Sequence, residues 1–88
     1  MAELVFSPEA DEVLNRMEAD ETQRACAGRL NSALDILEAD PGDARNRRRR
    51  FQTIGLWGIP VVCGDDEWLI LWEAQEDIVV VHHVVPAP

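Results

Sequence analysis

The chain has 88 residues, which suffices for one domain with a thin core and leaves no room for a second. Its formal charge is −9, with 17 acids, 8 cations that are all arginine, and no lysine. A chain so acidic repels nucleic acid at long range, so any polynucleotide contact has to be local. With no charged-then-apolar leader and no apolar run of membrane length, the expectation is a soluble, cytoplasmic protein with no membrane partner.

The charge is unevenly spread. Residues 1–44 carry 11 acids and 3 arginines, residues 45–50 carry 5 arginines and no acid, and residues 51–88 carry 6 acids and no arginine.

In chain order, Leu4-Val5-Phe6 reads as a short edge strand. Ser7-Pro8-Glu9-Ala10 then reads as a helix start: a capping hydroxyl, a proline at the first helical position, and acids at the positive end of the dipole. Ala10, Val13, Leu14 and Met17 repeat at helical spacing, which predicts a helix ending near Ala19. Asp20 with Gln23 resembles a second capping box. Cys26, Leu30, Ala33, Leu34 and Leu37 form the next helical stripe, and Asp40-Pro41-Gly42 stops it. Two helices so close in sequence form an antiparallel hairpin with one apolar side to bury.

Asp43 to Thr53 reads as a polar connector. Three apolar runs follow between Leu56 and Val85, separated by the short breaks Cys63-Gly64-Asp65-Asp66 and Gln75-Glu76-Asp77. Their Val, Ile, Leu and Trp content suits strands, and breaks this short predict hairpins. Pro60 makes the first run an edge, a bulge or a late start. In the second run Trp68, Ile70 and Trp72 share one face, and Leu69 and Leu71 share the other. Such a strand is covered on both sides, and the helices supply only one cover. The other side is then a ligand groove or a partner interface. The tail Val85-Pro86-Ala87-Pro88 is not expected to continue a strand. Cys26 and Cys63 have no metal-like spacing and read first as small buried thiols in a reducing compartment, with a disulfide or a redox role as the alternative.

The fold class this predicts is α+β, a single domain over residues 1–88. Its order is β-α-α-β-β-β, with two helices on one face of a mainly antiparallel four-stranded sheet.

That order, with FSPEA before the first helix, LNSALDILEADP closing the second, an arginine-rich connector, and then GLWGIPV, WLILWE and DIVVVHHV, resembles the RelE/ParE toxin superfamily over essentially the whole chain. The resemblance implies a toxin of a toxin–antitoxin pair, with an antitoxin protein as partner. RelE-like members cut mRNA in the ribosomal decoding site without a metal or other cofactor; ParE-like members poison DNA gyrase. The RelE-like reaction needs a base for the ribose 2′-hydroxyl, cations around the phosphorane, and a proton donor for the leaving oxygen. Gly58 and Pro60 stand where many relatives carry arginine, and the chain ends without a basic or aromatic pair.

The candidate site residues follow from that chemistry. Arg45, Arg47, Arg48, Arg49 and Arg50 are candidates for gripping phosphates of RNA; they also fit an acidic protein partner or a solvated connector that neutralises the helices. Trp57, between Gly55 and Gly58, is a candidate for stacking on a base or for packing. His82 and His83 are candidates for acid and base, or ordinary structural histidines. Adjacent in a strand, they are expected on opposite faces, one toward the helices and one toward the open face. Glu73 fits a rim residue better than a base. Two function classes remain: a metal-independent, ribosome-dependent mRNA endonuclease, and a non-catalytic interaction domain that binds an antitoxin, gyrase or a second copy of itself.

Overall fold

The computed structural model describes residues 2–87. The chain forms β1 (Glu3–Phe6), α1 (Pro8–Ala19), α2 (Arg24–Ala39), a 3₁₀ turn (Ala44–Arg47), β2 (Arg49–Phe51), β3 (Leu56–Cys63), β4 (Asp66–Gln75) and β5 (Ile78–Pro86). The strands make one sheet in the order β1-β5-β4-β3-β2. β1 runs parallel to β5, and every other pair is antiparallel. The fold is α+β, a mixed and mostly antiparallel sheet with both helices packed against it.

α1 starts as its sequence dictates. The Ser7 hydroxyl accepts from the Ala10 N–H at 3.1 Å, Pro8 takes the first helical position, and Glu9 and Asp11 fill the first turn. The second expected cap does not form. Asp20 instead accepts from the amide and hydroxyl of Thr22 within the interhelix turn, and Gln23 sits at the cap position with no side-chain bond. Thr22 wins because it is two residues away, the natural reach of an aspartate over its own turn.

One face of the sheet meets the helices. Ala10, Leu14, Met17, Ala27, Leu30, Leu34 and Leu37 are buried against Ile59, Val61, Ile70, Trp72, Val79, Val81 and Val84. The helices therefore lie on the Ile70 side. On the other face Leu56, Leu69 and Leu71 make a smaller cluster with Phe51, Val85 and Ala87.

Three expectations need correction. The sheet has five strands, because Arg49–Phe51 pairs with Leu56–Gly58. Backbone pairing is indifferent to arginine so long as the side chains have somewhere to go, and here they reach Glu67 and Trp57. β5 continues through Val85 to Pro86, opposite Trp68, and the Ala87 N–H donates to the Glu67 carbonyl at 2.8 Å. The proline is tolerated because β1 pairs with β5 only as far as Val81, which leaves Pro86 on an edge. Finally, Cys26 and Cys63 take the alternative to the free thiols expected first: they form a disulfide, with Cα atoms 5.3 Å apart. α2 crosses the end of β3, which brings its first turn to the last residue of that strand. A spacing of 37 residues carries no sign of this.

Pro60 behaves as expected of an edge. β2 reaches only as far as Gly58, so β3 has no outer neighbour at Pro60, and Arg29 of α2 covers the Val62 carbonyl at 3.3 Å.

The disulfide closes a long loop between a helix and a strand that otherwise share few covalent constraints. Replacing both cysteines with serine is expected to lower the unfolding free energy by about 3–4 kcal/mol, the loop-closure value for this separation. Urea denaturation of the variant and of the wild type, oxidised and reduced, measures it. Equal midpoints for oxidised and reduced protein would show that the bond adds no stability.

Candidate functional site

Two groups of candidate residues lie on different strands. The arginines occupy the 3₁₀ turn and β2, at one edge of the sheet. The histidines lie on β5, with β4 and β3 between. That is three inter-strand spacings, roughly 14 Å.

The arginine edge is built on two tryptophans. Trp57 of β3 stands opposite Arg50 of β2 on one side and Trp72 of β4 on the other, all on the helix-facing side. The Arg50 guanidinium carbon is 4.8 Å from the Trp57 ring centre. That of Arg47 is 5.2 Å from the Trp57 centre and 5.8 Å from that of Trp72. Both fall within cation–π range. The Arg47 Nε also donates to the Pro41 carbonyl at 3.3 Å.

The other arginines divide differently. Arg45 pairs with Asp43 at 2.8 Å, and this hydrogen bond pulls the Asp43 carboxyl down to about 2. Arg49 pairs with Glu67 at 2.8 Å across β3. Among the described residues no carboxylate lies within ion-pair distance of Arg47, Arg48 or Arg50. All five arginines are exposed.

Asn46, the one neutral residue in the arginine run, is buried. Its side-chain amide donates to the Asp40 carbonyl at 2.8 Å, and its own carbonyl accepts from the Trp72 indole N–H at 2.9 Å. Sequence reasoning passed over Asn46. The available signal was its interruption of an otherwise continuous cationic run.

The histidines sit at an irregularity. β4 and β5 shift register between Leu71 and Trp72, so that Leu71 faces His83 while Trp72 faces Val81, and His82 is the extra residue. The bulge relaxes strict alternation, and the two rings lie 6.3 Å apart. The His82 Nε2 is 2.9 Å from Glu73 Oε1 on β4. Glu73 also accepts from the Gln75 side-chain amide at 2.7 Å, and these bonds, His82 first, hold its carboxyl below the ordinary range. The His83 Nδ1 is 3.4 Å from Glu9 Oε2 in the first turn of α1. Ser7 fixes the backbone here: its N–H donates to the Val81 carbonyl and its hydroxyl to the His82 carbonyl at 2.6 Å. Ser7 thus caps a helix and pins the bulge, and only the first role was legible from its neighbours.

On the open face the sequence position Gly58 has a structural reason. A Cβ added there would lie 2.7 Å from the Phe51 ring and 3.5 Å from the Leu71 side chain. Phe51 roofs the strand where a cation of the toxin pattern would stand.

A concavity of about 420 Å³ opens between the β3–β4 turn and the chain end, lined by Asp65, Asp66, Glu67, Trp68, Pro86 and Ala87. None of the candidate arginines or histidines lines it. Among the described residues no group of three or more His, Cys, Asp or Glu side chains is arranged to hold a metal. No helix among the described residues is long and apolar enough to cross a membrane. Comparison with protein-family models, with curated proteins and with solved structures finds no match to this chain.

The contact between Gly58 and Phe51 makes a direct prediction. Gly58→Ala is expected to cost about 1–3 kcal/mol through overpacking. Shortening the ring by Phe51→Leu in the same chain should recover most of it. A double-mutant cycle by urea denaturation measures the coupling, and additive losses would show that the ring does not rest on the glycine.

Proposed function

We propose that this chain is a RelE/ParE-like interaction domain of a toxin–antitoxin pair that works by holding protein partners. Supporting this reading is the separation of the groups a nuclease would need together. The acid–base candidates His82 and His83 are paired with carboxylates on β4 and α1, whereas the cations stand beyond two further strands. A phosphorane at the histidines would stand three strand spacings from the arginine cluster, roughly 14 Å, too far for those guanidinium groups to stabilise its charge directly.

The open sheet face supports the same reading. Leu56, Leu69 and Leu71 are covered there by Phe51, Val85 and Ala87, and the pairs Arg49–Glu67 and His82–Glu73 stand beside that small cluster. Val62 is 58% exposed, and Val5 and Ile78 extend the apolar area along β1 and β5. These exposed apolar side chains beside charged pairs suit contact with a protein surface. The partner on this reading is an antitoxin, a gyrase-like target or a second copy of the chain.

A ribosome-dependent, metal-independent mRNA endonuclease is the second reading, and the His82–His83 pair favours it. There Glu73 orients His82, one imidazole removes the 2′-hydroxyl proton, and the other protonates the leaving oxygen. The ribosome or the mRNA would have to bring its own charge compensation. Either reading operates in the cytoplasm, where disulfides are uncommon and mostly transient or redox-sensing. The Cys26–Cys63 bond would there be one of that kind.

Induced expression in a bacterial host separates the readings. The interaction reading expects growth arrest by the wild type and equal arrest by His82→Ala/His83→Ala, with no ribosome-dependent mRNA cleavage. It expects Val62→Glu on the open face to relieve the arrest. Cleavage that vanishes in the double-histidine variant would establish the nuclease instead. Unimpaired growth under full expression of folded protein would remove the toxin reading altogether.

A further inference from the structure

We propose that Arg47 and Arg50, mounted together on Trp57, form a clamp for the carboxylates of an acidic protein segment. The two guanidinium carbons lie 5.2 and 4.8 Å from one indole centre. A guanidinium stacked on a ring keeps its in-plane N–H donors free, in the fork that matches a carboxylate. Among the described residues Arg47 donates a hydrogen bond from its Nε, to the Pro41 carbonyl.

The neighbouring arginines show what the clamp lacks. Arg45 and Arg49 each have a carboxylate at 2.8 Å. Arg47 and Arg50 have none within ion-pair distance among the described residues, although the chain carries 17 acids. Two like charges held against one ring repel each other, and an anion between their outer edges removes that repulsion. Arg48, exposed between them in sequence and likewise without an ion pair, adds a third cation nearby.

A protein carboxylate fits better than a nucleic acid. On the helix-facing side of this edge the partly exposed ring is Trp57, and two guanidinium groups already lie against it, which leaves little of it for a base; Phe51, also partly exposed, lies on the other face over Gly58. A long polyanion would also meet the field of a −9 chain, whereas a few carboxylates feel mainly the charges within a Debye length of about 8 Å. The clamp lies on the helix-facing side of the sheet, away from the aliphatic open face. It stands independently of the interaction proposed there, and either can fail alone.

Calorimetric titration at low and physiological salt tests the clamp, with a short oligoglutamate peptide and a short single-stranded oligoribonucleotide as probes. Oligoglutamate is expected to bind, and more weakly as salt rises. Arg50→Ser, which removes the guanidinium lying against Trp57, should weaken it about tenfold or more, and Arg47→Ser/Arg50→Ser should abolish it. Arg45→Ser, already neutralised by Asp43, should change it by less than about twofold. The Trp72 indole N–H resonance reports in each variant that the core beneath is intact. Absence of oligoglutamate binding to the wild type at low salt would overturn the proposal. So would equal losses in Arg45→Ser and Arg50→Ser, which would mean undirected charge attraction. Tighter, Arg50-dependent binding of the oligoribonucleotide would reassign the site to nucleic acid.

Discussion

The hydrogen bond from the Trp72 indole to the Asn46 carbonyl joins the core of this protein to its charged edge. Trp72 is fully buried in the central strand β4, and Asn46 is buried in a turn between two exposed arginines. A lone indole N–H in an apolar core would carry the full desolvation penalty of an unpaired donor. The chain meets that need by folding residue 46 inward. The Asn46 side chain then requires a partner of its own and finds the Asp40 carbonyl at the end of α2. One relay therefore ties together the helix end, the turn and the sheet. The arginines on either side of Asn46 point outward as a consequence, and Arg47 comes down over both tryptophans.

The same strand controls the opposite side of the molecule. Alternation along β4 puts Trp72 in the helix-facing core and Leu71 on the open face, and the register shift beside them lets Val81 and Val84, three residues apart on β5, both join that core. Its counterpart on β5 is the extra residue His82, whose carbonyl is held by the Ser7 hydroxyl. A bulge re-aims side chains, and here it brings two imidazoles to within 6.3 Å and gives each a carboxylate from a different element. These pairs are half-exposed, so they direct geometry more than they add stability.

Much of the fold was readable because local and tertiary signals agree. Ser7-Pro8, the two helical stripes and the alternating β4 each name an element and the face it buries. What stayed hidden depends on contacts distant in sequence. β2 is three residues of arginine and phenylalanine that become a strand only because β3 offers an edge. The disulfide needs α2 to cross the end of β3. Asn46 looks like a gap in a charge run until Trp72 is placed beneath it. The candidate site was legible as a set of residue types and not as an arrangement. Composition puts cations at residues 45–50 and imidazoles at 82 and 83, while the strand order that keeps them apart is a property of the whole sheet.

The central claim is that a buried indole holds the arginine-bearing edge in place. Amide hydrogen exchange of Arg45 to Phe51 in a Trp72→Phe variant tests it most directly, because phenylalanine keeps an aromatic core and removes only the donor and some volume. The account predicts that protection across the turn and β2 falls toward that of open chain, while the amides of β4 and β5 stay protected. Unchanged protection at Arg49 to Phe51, with loss spread evenly over the sheet, would contradict it.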